Sequence, residues 1–200
     1  MPIQLKKTLL PSQIFSVDDK LAITKKLDDL GVHYVEGGWP GSNPKDEEFF
    51  QRAQHLTLAR TTMAAFGSTR RAGKDVKTDT NLLSLLRSEA PVITLVGKSS
   101  EFQVSKILET SLSENLSMIS DSITFLRKKN RRVFFDAEHF FDGYIENPEY
   151  ALRSISEAAN SGADYVILCD TNGGVLPNEI SKIVQNIAGS IDVPLGIHTH

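Results

Sequence analysis

His198-Thr199-His200 sets two imidazoles at alternate positions. Alternate side chains of an extended strand share a face, so both rings can project the same way. Two neutral imidazoles on one side suit a divalent transition metal. The competing reading is a pair of partly exposed histidines that bind nothing. Asp136 and Glu138 have the same spacing in Phe134-Phe135-Asp136-Ala137-Glu138-His139. A carboxylate turned into a protein interior needs an ion pair, hydrogen bonds or a metal. These two therefore read either as an internal salt bridge or as groups that orient a substrate and move its proton.

Cys169-Asp170-Thr171-Asn172-Gly173-Gly174 joins a thiol, a carboxylate and a hydroxyl to two glycines that let backbone approach a ligand. The alternative is a tight turn capped by Asp170, with Cys169 a small buried side chain. Phe66-Gly67-Ser68-Thr69-Arg70-Arg71 and Gly97-Lys98-Ser99-Ser100 carry cations that either meet an anionic substrate or are solvated. Glu36-Gly37-Gly38-Trp39-Pro40-Gly41-Ser42-Asn43-Pro44 is a loop whose glycines allow close approach to a site, while Trp39 could instead cover one end of the fold.

These groups need a scaffold that gathers them. Ser16 with Asp19 approximates a capping box, and Val17, Leu21, Ile23, Leu27 and Leu30 follow at roughly helical spacing until Gly31. Helices are then expected over 46–56, 81–88, 101–129, 148–161 and 178–188. Apolar strands are expected over 33–36, 61–66, 92–96, 132–138, 165–170 and 194–198. Continuous apolar strands between helices mean a parallel sheet covered by helices. No G-x-G-x-x-G turn follows the first strand, as a dinucleotide-binding sheet would require. Polar residues instead end nearly every strand: Glu36, Ser68, Lys98, Glu138, Thr171, His198 and His200. Such gathering at strand ends is the pattern of a TIM (β/α)8-type barrel, in which βα-loops converge on one face. Six clear strands and a degenerate first one leave that α/β barrel incomplete, and 200 residues fall short of the roughly 250 that are typical.

Composition fits one globular core, with 40% hydrophobic and 24% charged residues. A net charge of −3 offers no basic footprint for nucleic acid. One cysteine rules out an internal disulfide framework and fits a reducing, cytoplasmic setting. No apolar run approaches the roughly 18 residues that span a bilayer, and the first residues lack a signal-peptide core.

The runs Tyr34-Val35-Glu36-Gly37-Gly38-Trp39-Pro40-Gly41-Ser42-Asn43-Pro44-Lys45-Asp46, Phe134-Phe135-Asp136-Ala137-Glu138-His139-Phe140-Phe141-Asp142-Gly143-Tyr144, Leu168-Cys169-Asp170-Thr171-Asn172-Gly173-Gly174 and Pro194-Leu195-Gly196-Ile197-His198-Thr199-His200 closely resemble the (R)-citramalate synthase and 2-isopropylmalate synthase family. That family belongs to the metal-dependent barrels that also include HMG-CoA lyase. The resemblance runs from about residue 15 to residue 200. It implies an acyltransferase that condenses acetyl-CoA with a 2-oxo acid, pyruvate in the citramalate branch, for isoleucine synthesis. It implies a divalent metal (Zn, Mn, Mg or Co) held by His198 and His200, with acetyl-CoA as co-substrate. Glu138 and Thr171 are the implied catalytic residues, contacting the 2-oxo acid or its metal-bound water. The partners expected are small molecules, without nucleic acid or membrane, and a homodimer in the full-length family.

One stretch departs from the family. Its first strand carries Asp-Thr-Thr-Leu-Arg-Asp-Gly, in which the Arg stabilises the enolate oxygen and the following Asp is a metal ligand. Here Lys6-Lys7-Thr8-Leu9-Leu10-Pro11-Ser12-Gln13 matches only at Thr8-Leu9, with Leu10 and Pro11 in the places of the Arg and the Asp. Residues 1–200 are accordingly expected to form a partial acyltransferase barrel domain, truncated at both ends, without an intact first-strand motif or eighth strand, and inactive alone. Two other readings are a 2-isopropylmalate synthase-type enzyme that takes a larger 2-oxo acid and a non-catalytic degenerate barrel that binds an intact paralogue.

Overall fold

The structure is a computed structural model that describes residues 7–9 and 15–200. Its centre is a parallel sheet of seven strands in chain order: β1 (Lys7–Leu9), β2 (Tyr34–Glu36), β3 (Thr62–Ser68), β4 (Val92–Lys98), β5 (Arg132–Glu138), β6 (Tyr165–Asp170) and β7 (Leu195–Thr199). The degenerate first strand is present as three residues, with Thr8 opposite Val35. Leu10 and Pro11, on which the departure from the family rests, lie outside the described residues. Helices α1 (Val17–Leu30), α2 (Pro44–Ala53), α3 (Thr80–Arg87), α4 (Leu112–Lys128), α5 (Phe140–Glu146), α6 (Pro148–Asn160) and α7 (Pro177–Ile187) connect the strands. Every crossover carries a helix, as parallel pairing of neighbouring strands demands.

The local chemistry explains the element ends. The Ser16 hydroxyl accepts a hydrogen bond from the Asp19 N–H, and the Asp19 carboxylate accepts one from the Ser16 N–H, so an Asp does the work of the usual Glu. Gly31 closes α1 at φ 82°, a left-handed position that suits glycine.

Two segments differ from the sequence expectation. The single helix over 101–129 is broken. A π-helical turn, Gln103–Ile107, ends near Glu109, which sits at φ 51°, and α4 starts afresh with Ser111 accepting from the Glu114 N–H. The polar-apolar periodicity is continuous across this break, and only the local hydrogen bonding divides it. Helix α5 was not anticipated, because its Phe-Phe-Asp-Gly-Tyr run lacks a helical stripe and its entry, His139, is left-handed at φ 57°.

Alternation along the strands sorts side chains into two layers. Val35, Met63, Ala65, Ile93, Leu95, Val133, Phe135, Ala137, Val166 and Leu168 pack outward against the helices in the main core. The inner face buries a smaller cluster of Tyr34, Ala64, Val92 and Phe134, flanked by Tyr165 and Ile167. Tyr34 and Tyr165 each stand edge-on to Phe134 at 4.9 Å, and Arg132 lies over Tyr34 and Phe134. The amino-terminal end of the sheet's interior is thus filled by aromatic rings. The carboxy-terminal end is left to polar groups. No described helix is long and apolar enough to cross a membrane.

Candidate metal and substrate site at the strand ends

The inner face carries Asp136 and Glu138 on β5, Cys169 on β6 with Thr171 just beyond it, and His198 on β7 with His200 after it. The register pairs Lys98 with Glu138 across β4 and β5, and Cys169 with His198 across β6 and β7. The polar ends therefore rise in rows from neighbouring strands.

His198 and His200 share one side of β7, with ring centroids 4.8 Å apart and planes tilted by 34°. Two imidazoles on one tetrahedral ion would hold their centroids roughly 5 Å apart, given metal–nitrogen bonds near 2 Å. The observed centroid spacing lies close to that value. Both rings are exposed. Against the His200 backbone lies Gly173, whose φ of 62° and lack of a side chain permit the approach. A Cβ there would stand 2.8 Å from the His200 carbonyl oxygen. Asp136 and Cys169 are almost wholly buried, and one ligand atom from each lies within 4.8 Å of a His198 ring nitrogen and of the other.

Glu138 forms an ion pair with Lys98 at 2.5 Å. Lys98, weighed as a loop cation, is the last residue of β4, and its ammonium fixes the carboxylate at the rim. The Thr171 hydroxyl accepts a hydrogen bond from the His139 N–H at 2.9 Å. A hydroxyl has one proton to give as well, and among the described residues Thr171 gives it to no protein group. His139 and Asn172 both reach Asp142, at 3.2 and 2.7 Å, so the loops after β5 and β6 are tied together beside that hydroxyl.

Other polar residues prove structural. Both Asp170 oxygens face the next turn, accepting from the Gly174 and Val175 N–H groups at 3.3 Å, so Asp170 is a turn cap. Burial alone would lower the pKa of the Arg70 guanidinium, but its hydrogen bonds to Glu114 and Asp121 outweigh this and hold it above its ordinary value. Buried and paired with both acids, it is not a solvated loop cation. Arg70 in turn holds the Glu114 carboxyl below its ordinary range, helped by the Gly73 N–H. Trp39 donates its indole N–H to Asn81 and stands edge-on to Phe66, covering the sheet end. Its loop is held by a buried ion pair from Lys20 to Asp46 at 2.6 Å, and Asp46 also accepts from the Trp39 N–H. Sequence inspection missed that pair, since Lys20 lies 26 residues away in α1 with nothing local to mark it.

A family model described as HMGL-like matches residues 9–200. The (R)-citramalate synthase of Aquifex aeolicus is 50% identical over 187 residues, covering 93% of this chain and 35% of that protein. The (R)-citramalate synthase of Streptomyces coelicolor is 51% identical, covering 92% and 34%. A 2-isopropylmalate synthase from Streptococcus gallolyticus is more distant at 26%, covering 95% and 36%. The chain thus spans about a third of the length of these curated relatives. Among solved structures, the Bacillus subtilis HMG-CoA lyase superposes with a TM-score of 0.74 at 18% identity, covering all of this chain and 70% of that one. An Acinetobacter baumannii HMG-CoA lyase, solved with coenzyme A and 3-methylmalate, gives 0.74 at 18%, covering 98% and 66%. At such low identities these structures establish a shared barrel fold.

Proposed function

Since this chain belongs to the HMGL-like family, we propose that it carries the metal and 2-oxo-acid end of an acyltransferase barrel that joins acetyl-CoA to pyruvate and hydrolyses the resulting thioester with one water, yielding (R)-citramalate and coenzyme A. The observation that carries this reading is the near 50% identity to citramalate synthases across almost the whole chain, against 26% to a 2-isopropylmalate synthase.

In this proposal His198 and His200 hold a divalent metal through neutral ring nitrogens. When bound, the metal would act as a Lewis acid that polarises the keto group of the 2-oxo acid. The chain's own groups do the rest. Thr171 donates its hydroxyl proton to an oxygen of the 2-oxo acid, while the His139 N–H holds its oxygen in place. Glu138, steadied by Lys98, reaches the substrate from the next strand. Gly173 lets the β6 turn lie flush against His200, so acid and histidines share one shallow mouth.

Leu10 and Pro11 offer no guanidinium and no carboxylate. Loss of one preorganised charge-stabilising donor costs about 10²–10³ in rate. This polypeptide alone is therefore expected to release no coenzyme A above background. The functional reading is tested by binding. Calorimetric titration of the Mn²⁺-loaded chain should show pyruvate binding at least about 10-fold tighter than 3-methyl-2-oxobutanoate, the usual discrimination for added methyl groups in a fitted pocket. The reverse preference would favour the 2-isopropylmalate synthase reading. Binding of neither acid would reject both.

A further inference from the structure

We infer that Asp136, Cys169 and His198 form a second, thiolate-containing metal site that takes a soft divalent ion such as zinc, using one histidine of the pair and two groups beneath it. A carboxylate oxygen, a sulfur and a ring nitrogen from three adjacent strands lie within 4.8 Å of one another. Ligand atoms around a tetrahedral zinc lie roughly 3.5 Å apart, given bonds of about 2.0–2.3 Å. Closing the set to that spacing takes about an ångström of movement. The strand pairing already sets Cys169 directly opposite His198.

The donor chemistry points to zinc and away from magnesium or manganese. Thiolate and imidazole are the ligands that soft and borderline ions select, whereas hard ions favour oxygen. Cys169 is 5% and Asp136 4% exposed, so both ligands sit in a water-poor setting where a cation offsets the cost of the ionised forms. Binding breaks the S–H bond, forms a sulfur–metal bond and passes the proton to solvent. The His198–His200 pair holds its metal at the mouth, and this set draws one deeper. With His198 common to both, the two sites are alternatives. Zinc seated against Cys169 would leave His200 without its partner, so that soft metals compete with the ion that binds the 2-oxo acid.

Cobalt(II) tests this directly, because a thiolate ligand gives a near-ultraviolet charge-transfer band that imidazole and carboxylate do not. Cys169 is the chain's one cysteine, so any such band comes from it. Titration of the chain with Co²⁺ should produce the band at one equivalent. Cys169→Ser and His198→Ala should abolish it, while His200→Ala should keep it. Zinc affinity, read by competition with a chromophoric chelator, should fall about 100-fold or more in Cys169→Ser, since even loss of an outer partner of a ligand costs about 10–100-fold. Cys169→Ala and circular dichroism separate loss of a ligand from loss of fold. A wild-type chain without the band, a band that survives Cys169→Ser, or unchanged zinc affinity would overturn the site. Pyruvate binding to the Mn²⁺-loaded Cys169→Ser chain should persist, so the two proposals fail separately.

Discussion

Gly143→Ala sets helix propensity against packing. Gly143 lies inside α5, and its φ is not left-handed, so by propensity alone alanine should stabilise the protein by roughly 1 kcal/mol. A Cβ there, however, would stand 2.3 Å from the Ser99 carbonyl oxygen and 2.8 Å from the Ser100 Cα. Ordinary contact begins at 3.4 Å, so two stretches of backbone must part by about 1.1 Å. Neither is the end of a flexible side chain. Overpacking typically costs about 1–3 kcal/mol, and backbone neighbours place this case at the upper end. Denaturant unfolding should show a loss of about 2–3 kcal/mol, and Tm should fall by roughly 4–12 °C for a chain of this size. Gly174→Ala is the control, because nothing lies within 4 Å of that position and its φ is not left-handed. Its stability should stay within about 0.5 kcal/mol of the parent. An unchanged or raised Tm for Gly143→Ala would show that helix propensity outweighs the backbone clash. The consequence reaches the site, because Ser99 follows Lys98 and α5 follows Glu138, so parting the backbones pulls on the Lys98–Glu138 pair.

Lys20→Met leaves the Asp46 carboxylate buried without its ammonium, and denaturant unfolding should register a loss of about 3–5 kcal/mol, with Lys20→Met/Asp46→Leu recovering part of it. The emission of Trp39, the one tryptophan, should shift in the single variant because Asp46 holds its backbone N–H. The Glu114 carboxyl is held below its ordinary pKa of 4.5, so its stabilising contribution is full above that value and is lost as pH falls through the lower folded value. Glu114→Gln should flatten the fall of stability with pH below 4.5, and an acid limb of unchanged slope would count against the Arg70–Glu114 pair. Thr171→Val removes the proposed donor to the 2-oxo acid. It should weaken pyruvate binding to the Mn²⁺-loaded chain by about 10–100-fold in calorimetry, as loss of a hydrogen bond to a charged group does, while Thr171→Ser retains it.

The barrel pattern was legible because its causes are local and repeated. Apolar runs, a Ser16–Asp19 cap and Gly31 each act within a few residues, and the alternation at Asp136/Glu138 and His198/His200 needs only a strand to become a shared face. Where the sequence left two readings of a polar group, long-range contacts decided. Asp170 turned to its own loop, Arg70 to acids on α4, and Lys98 to Glu138 on the next strand. The break near Glu109 and helix α5 were hidden because each depends on a left-handed residue, Glu109 or His139, that neither glycine nor proline announces. The closeness of Cys169 to His198 follows from register between strands, which one-dimensional spacing does not reveal.

In the proposed function His198 and His200 hold the metal through which the strand ends bind a 2-oxo acid. Equilibrium dialysis with Mn²⁺, with and without pyruvate, tests it on the chain and on His198→Ala/His200→Ala. The parent chain should bind pyruvate only when Mn²⁺ is present, and the double variant should lose both metal and pyruvate with its circular dichroism intact. Pyruvate binding that is independent of metal, or a double variant that binds Mn²⁺ as the parent does, would contradict it.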